Sequence, residues 1–197
     1  MFQRLAVLAT AVILVLAGVL LYLQLENNGR EELPVNERLG GELVLTDHRG
    51  ETFSTAELHG NVVLMFFGFT NCPDYCPATM ARLAQAYQEL EQAGEADRVD
   101  VVFVSFDPER DTPEHLREYL GWFHDDFIGL TGPVEEVEQA ARQYGAVFMR
   151  QGADDAEEYD FAHSDYVYLI DDQGRVRKLF QANPEPEEVI ADVRSLL

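Results

Sequence analysis

Cysteine and lysine are the scarce residues of this 197-residue chain: two of the first, Cys72 and Cys76, and one of the second, Lys178. Two cysteines are too few for a disulfide-built scaffold or a Cys₄ zinc site. Positive charge is short as a whole, with 14 Lys and Arg against 36 Asp and Glu and a net charge of −22. That balance excludes nucleic acid as a partner, because phosphate binding needs clustered Lys and Arg. Apolar residues are plentiful at 47%, with 11% aromatic, so the chain can bury a core and is not disordered. Its length favours one domain.

One long apolar run is present. Leu5 to Leu25 (LAVLATAVILVLAGVLLYLQL) is 21 residues broken only by Thr10, Gly18 and Gln24. At about 1.5 Å per residue it matches a hydrocarbon core of roughly 30 Å. It exceeds the usual apolar region of a cleaved signal peptide and runs into Glu26 with no small-residue cleavage site. Residues 5–25 therefore read as an uncleaved membrane anchor. Arg4 supplies the positive flank and keeps residues 1–4 cytoplasmic. Residues 26–41 (ENNGREELPVNERLGG) read as a tether, and 42–197 as the folded domain. In a bacterium the domain then faces the periplasm from the inner membrane, where disulfides are permitted.

Beyond the tether, strand and helix patterns alternate. Residues 42–46 and 51–53 flank Asp47-His48-Arg49-Gly50, a hairpin signal. Residues 61–69 (NVVLMFFGF) and 99–106 are near-continuous apolar runs, as in central strands buried on both faces. Helical spacing marks 77–93, 112–123, 134–144 and 186–197. A short strand at 146–150 precedes an acidic insertion at 151–160, and 166–170 with 175–181 form a second hairpin across Asp171-Asp172-Gln173-Gly174. A sheet begun by βαβ crossovers and closed by a hairpin and helix is an α/β, thioredoxin-like pattern, here with an N-terminal hairpin extension.

The chemistry is expected at Gly68-Phe69-Thr70-Asn71-Cys72-Pro73-Asp74-Tyr75-Cys76-Pro77, between a buried strand and a helix. Helix N-terminal amides favour thiolate, so at least one cysteine should have a depressed pKa. On a helical turn the i, i+4 spacing puts both sulfurs on one face. Such a pair either oxidises to a disulfide or grips one soft metal ion. Met65 and Met80 read as core, as do Trp122, Tyr119 and Phe123. His48, His59, His115 and His124 read as ordinary exposed histidines. Asp154 to Glu158 read as a solvated loop. A peroxidase site needs Thr or Ser three residues before its reactive cysteine, where this chain has Phe69. No proline stands between Pro133 and Pro184, which weighs against a thioredoxin with its cis-proline near His163.

GFTNCPDYCP resembles the copper motif of the Sco/SenC/PrrC family, membrane-anchored copper proteins of cytochrome c oxidase assembly. Ser105-Phe106-Asp107-Pro108-Glu109-Arg110-Asp111-Thr112-Pro113 is similar to that family's SxDPxRDTP segment, and Phe161-Ala162-His163-Ser164-Asp165 to its histidine motif. The resemblance covers roughly residues 35–197. It implies one copper ion held by Cys72, Cys76 and His163, with Asp107 nearby supporting them. Ala162 departs from the pattern, standing where the family commonly has an acid. Two thiolates and an imidazole suit copper in either oxidation state, and zinc would accept the same donors. The implied role is a copper chaperone for the copper-containing oxidase subunit, with other copper carriers as further partners. The alternative is a thiol–disulfide reductase, in which Cys72 and Cys76 cycle to keep that subunit's cysteines reduced.

Overall fold

A computed structural model describes residues 13–19, 33–152 and 159–197. Residues 13–19 are helical and exposed. Among the described residues no helix is long and apolar enough to cross a membrane; most of the expected anchor, 5–25, lies outside them. The acidic stretch 153–158 also lies outside.

Residues 33–197 form one compact unit. Its seven-stranded sheet has the order β2 (Thr52–Ser54), β1 (Val44–Asp47), β5 (Ile128–Thr131), β4 (Val99–Ser105), β3 (Val62–Gly68), β8 (Val167–Ile170) and β9 (Val176–Phe180). The centre is β3 (Val62–Gly68), β4 (Val99–Ser105) and β5 (Ile128–Thr131), all parallel. Every residue of β3 is buried, as its unbroken apolar run requires. The expected N-terminal hairpin is β1 (Val44–Asp47) with β2 (Thr52–Ser54), joined to β5 through β1. Asp47 ties its turn by accepting from the backbone N–H of Arg49 and Glu51 at 2.8 and 3.0 Å. The capping box of Ser54 and Glu57 follows. At the other edge β8 (Val167–Ile170) and β9 (Val176–Phe180) form the second hairpin, with β8 antiparallel to β3.

Four helices cover the sheet: α1 (Tyr75–Gln92), α2 (Pro113–Gly121), α3 (Val134–Tyr144) and α4 (Pro186–Leu196). α1 packs on α4, and α2 on β5. Thr112 caps α2 with Pro113 at the first position, where a missing N–H costs nothing. Residues 33–41, the end of the expected tether, are bonded to the domain: Asn36 N donates to Val176 O at 2.8 Å, and Gly40 N to Gln143 O at 3.0 Å.

Two strands depart from the sequence reading. β5 was not expected. β7 (Asp160–His163) pairs with β6 (Phe148–Gln151) in a separate two-stranded sheet. Met65 and Met80 are core, at 1% and 0% exposure. Trp122 is not: it is 86% exposed at the end of α2, whereas Tyr119 packs on Phe103 and Phe123 on Tyr119.

Candidate metal centre

Cys72 sits in the turn after β3, one residue beyond a bend closed by its own N–H on Phe69 O at 3.3 Å. Cys76 lies in the first turn of α1. The pair therefore does not share a helical face, because Cys72 precedes the helix. The chain curls instead, so that the Cys76 N–H donates to Cys72 Sγ at 3.4 Å. Both thiols are free. Cys72 borders solvent at 9% exposure, and Cys76 is wholly buried beneath it.

The two sulfurs differ in proton affinity for local reasons. The Cys76 thiol donating to Cys72, followed by His163 and the backbone N–H groups of Cys76 and Asp74, outweighs burial and lowers the Cys72 pKa to about 3. The same bond, with burial, pushes the Cys76 thiol far upward. The pair thus carries one thiolate and one thiol, coupled through a shared proton.

His163 comes from the end of β7, opposite Phe148. Its Nδ1 lies 2.9 Å from Ser164 O. A carbonyl only accepts, so Nδ1 carries a proton, and Nε2 is the nitrogen that faces the cysteines. Nε2 is 3.9 Å from Cys76 Sγ. Burial opposes a charged imidazole, but the Cys72 thiolate and the Ser164 carbonyl outweigh it and raise the His163 pKa. The ligand atoms of Cys72, Cys76 and His163 all lie within 4.8 Å of one another. They meet beside an open cavity of about 600 Å³ lined by Cys72, Pro73, Tyr75, Phe161 and His163.

Gly68, at the end of β3, makes room for the buried sulfur. A Cβ there would stand 3.0 Å from Cys76 Sγ and from carbons of the Phe103 and Phe66 rings. Gly68→Ala should therefore destabilise the domain by about 1–3 kcal/mol through overpacking and push Cys76 out of place. A lowered urea midpoint checks this; an unchanged midpoint contradicts it.

Asp107 is buried, but it does not bond the cysteine loop. Its carboxylate accepts from Tyr159 Oη at 2.6 Å and Arg110 Nε at 2.5 Å. The acid at the loop is Asp111, fully buried, which accepts from Thr70 N at 3.0 Å, Thr70 Oγ1 at 2.5 Å and Ser105 Oγ at 2.5 Å. Neither Asp111 nor Tyr159 was singled out from sequence. Asp111 stands inside the SFDPERDTP segment, so the motif itself was the available signal; Tyr159, beside an acidic run, had none.

The other histidines stay away from the sulfurs. His59 and His115 are exposed as expected, and His115 Nε2 lies 2.9 Å from Thr70 Oγ1. His48 and His124 are half-buried instead: His48 accepts from Gly129 N, and His124 meets the Tyr87 ring edge-on. His124 also stands near Glu91 and Asp126, both exposed.

The SCO1/SenC family model matches residues 31–197. This chain belongs to the SCO1/SenC family. A SCO2-like protein of Rickettsia felis is 38% identical over 158 residues, which is 79% of this chain and 75% of that protein. The structure of Arabidopsis thaliana ScoI with copper bound matches with a TM-score of 0.73 and 33% identity, over 80% of this chain and 97% of that one. BsSco, a member of the Sco family of cytochrome c oxidase assembly proteins in which a disulfide switch was identified, matches with a TM-score of 0.65 and 25% identity, over 82% of this chain and 96% of that one. The thioredoxin-like α/β architecture is that of the Sco proteins.

Proposed function

We propose that this protein carries copper for the assembly of cytochrome c oxidase. It binds one copper ion through Cys72, Cys76 and His163 and hands it to the copper-containing subunit. Residues 5–25 anchor it in the bacterial inner membrane, with the domain in the periplasm. The observation that carries this reading is the convergence of two sulfurs and the cysteine-facing imidazole nitrogen within 4.8 Å, from three separate elements. The copper-bound Arabidopsis thaliana relative supports it. So does the donor set: thiolates suit Cu(I), imidazole suits Cu(II), and three ligands leave a position open for transfer. The Nδ1–H bond to Ser164 fixes the tautomer and aim of the imidazole, as supporting bonds around metal ligands do.

A reductase reading has its own support in the free thiols, the depressed Cys72 pKa and the disulfide switch of BsSco. In that reaction the Cys72 thiolate attacks a target disulfide, and Cys76 then resolves the mixed disulfide. The target gains two electrons, one proton from Cys76 and a second from solvent, and Cys72–Cys76 becomes the disulfide.

Complementation separates the two readings. In a strain lacking the protein and grown at limiting copper, Cys72→Ser and His163→Ala should both fail to restore oxidase activity. Full restoration by His163→Ala, with failure of Cys72→Ser, would move the assignment to the reductase.

A further inference from the structure

The ligand His163 stands on an element with little support of its own. β6 and β7 form a two-stranded sheet, hydrogen-bonded to each other and not to the seven-stranded sheet. An isolated hairpin is marginal in water, so side chains must hold this one in place. Its inner face carries alternate residues of β7 and the residue before it: Tyr159, Phe161 and His163. Phe161 and His163 pack on Phe69 and Phe106.

The loop end of the hairpin is held differently. The Tyr159 ring lies between two guanidinium groups, Arg110 at 3.7 Å and Arg150 at 3.6 Å from its centroid. Its hydroxyl donates to Asp107 at 2.6 Å, and its carbonyl accepts from Arg110 Nη1 at 3.0 Å. Arg110 Nη2 and Arg150 Nε are buried with no hydrogen-bond partner among the described residues, which fits guanidinium groups covered by the aromatic ring they sandwich. Asp107 is thereby explained: it acts on the hairpin rather than on the cysteines.

We infer that Tyr159 is a positioning residue for His163: gripped between Arg110 and Arg150 and bonded to Asp107, it fixes the loop end of the β6–β7 hairpin and so sets where the imidazole, at the other end, stands over the cysteines. The inference rests on the copper reading for its consequence, and on the hairpin geometry alone for its cause. The lever is long. Four residues of strand separate Tyr159 from His163, about 13 Å at roughly 3.3 Å per residue. A tilt of about 2° about the Tyr159 grip moves the imidazole about 0.5 Å, the tolerance within which a binding site must be held.

The test is a double-mutant cycle on the full-length protein in detergent, with copper as the probe. Tyr159→Phe keeps the ring between the guanidinium groups and loses the bond to Asp107. It should weaken copper binding about tenfold, within the range seen for residues that support metal ligands, and Tyr159→Leu should weaken it further. In a His163→Ala background the same changes should alter affinity less than about twofold, since the positioned group is gone. In the copper-free protein, Tyr159→Phe should speed amide exchange in β6 and β7 and leave β3 and β4 unchanged. Equal weakening in both backgrounds, or faster exchange throughout the sheet, would mean a merely structural role and overturn the inference. No weakening and no faster exchange would overturn it as well. Should Tyr159→Leu not fold, Arg150→Met opens one face of the grip and carries the same expectations. If His163→Ala alone binds copper like the native protein, the copper reading fails, and exchange in the hairpin then decides the positioning by itself.

Discussion

Iodoacetamide should alkylate Cys72 of the reduced protein at pH 5 nearly as fast as at pH 8. An ordinary thiol, with a pKa near 8.5, loses several hundredfold of its thiolate over that interval. Cys72 does not, because its pKa is lowered to about 3. The sign follows from which form the site favours. The Cys76 thiol, His163 and two helix-entrance N–H groups all donate to Cys72 sulfur, and donors stabilise the anion. The thiolate is therefore present above about pH 3 and lost only as the pH falls through that value. Reagent reaches it because Cys72 lines the open cavity. Cys76, buried and holding the proton of the pair, should stay unmodified under the same conditions. In denaturant both cysteines should titrate alike near the ordinary value. Mass spectrometry of the alkylated peptide, timed at each pH, measures this. A several-hundredfold drop in the Cys72 rate between pH 8 and pH 5 would show that the folded site does not hold a thiolate.

Replacing Asp111 with alanine should cost at least about 3 kcal/mol of stability. Three donors depend on this one carboxylate: the Thr70 N–H, the Thr70 hydroxyl and the Ser105 hydroxyl. A buried donor left without an acceptor costs about 1–3 kcal/mol. The two hydroxyls can rotate toward other acceptors, whereas the Thr70 N–H is fixed by the backbone. Domain stabilities are commonly 5–15 kcal/mol, so the loss is a large fraction of the total. Burial raises the Asp111 pKa, and the bonds from Ser105 and Thr70 oppose that rise. The damage should reach the candidate metal centre, since Thr70 opens the turn that carries Cys72. Asp111→Asn, which keeps one acceptor oxygen, should fall between native and alanine. Urea unfolding followed by circular dichroism tests this. A midpoint for Asp111→Ala within error of the native value would contradict it.

Both predictions rest on features of unequal visibility in the sequence. β3 and β4 were legible because strands buried on both faces leave continuous apolar runs, and 61–69 and 99–106 are such runs. Thr112-Pro113-Glu114 announced α2 through its cap. β5 was hidden: it is four residues long with Gly129 inside, and that glycine is there because a Cβ would stand 2.7 Å from Leu120 of α2. Helix-to-sheet closeness, which no local pattern records, selects it. β7 was hidden by its acidic setting. Its outward residues Asp160 and Ala162 are exposed and its inward ones only half-buried, so the alternation lacks contrast. Helical spacing beside Tyr119 and Phe123 suggests a shared buried face for Trp122, whereas α2 ends at Gly121 and turns Trp122 to solvent.

For the candidate site, both cysteines and His163 stand in motifs that mark them in the sequence, whereas nothing there marks the division of labour between the two acids. Asp107 and Asp111 are four residues apart in one segment. Which of them faces the cysteine turn, and which faces the β6–β7 hairpin, depends on where Thr70 and Tyr159 arrive from distant parts of the chain.

The central claim is that one metal ion sits between two sulfurs and one imidazole nitrogen. X-ray absorption at the copper K-edge measures that set of neighbours directly on the reduced, copper-loaded protein. The account predicts one copper per chain, with two sulfur neighbours and one nitrogen neighbour showing imidazole scattering, and loss of that scattering in His163→Ala. A copper site with no imidazole signal in the native protein, or an unchanged signal in the variant, would contradict it.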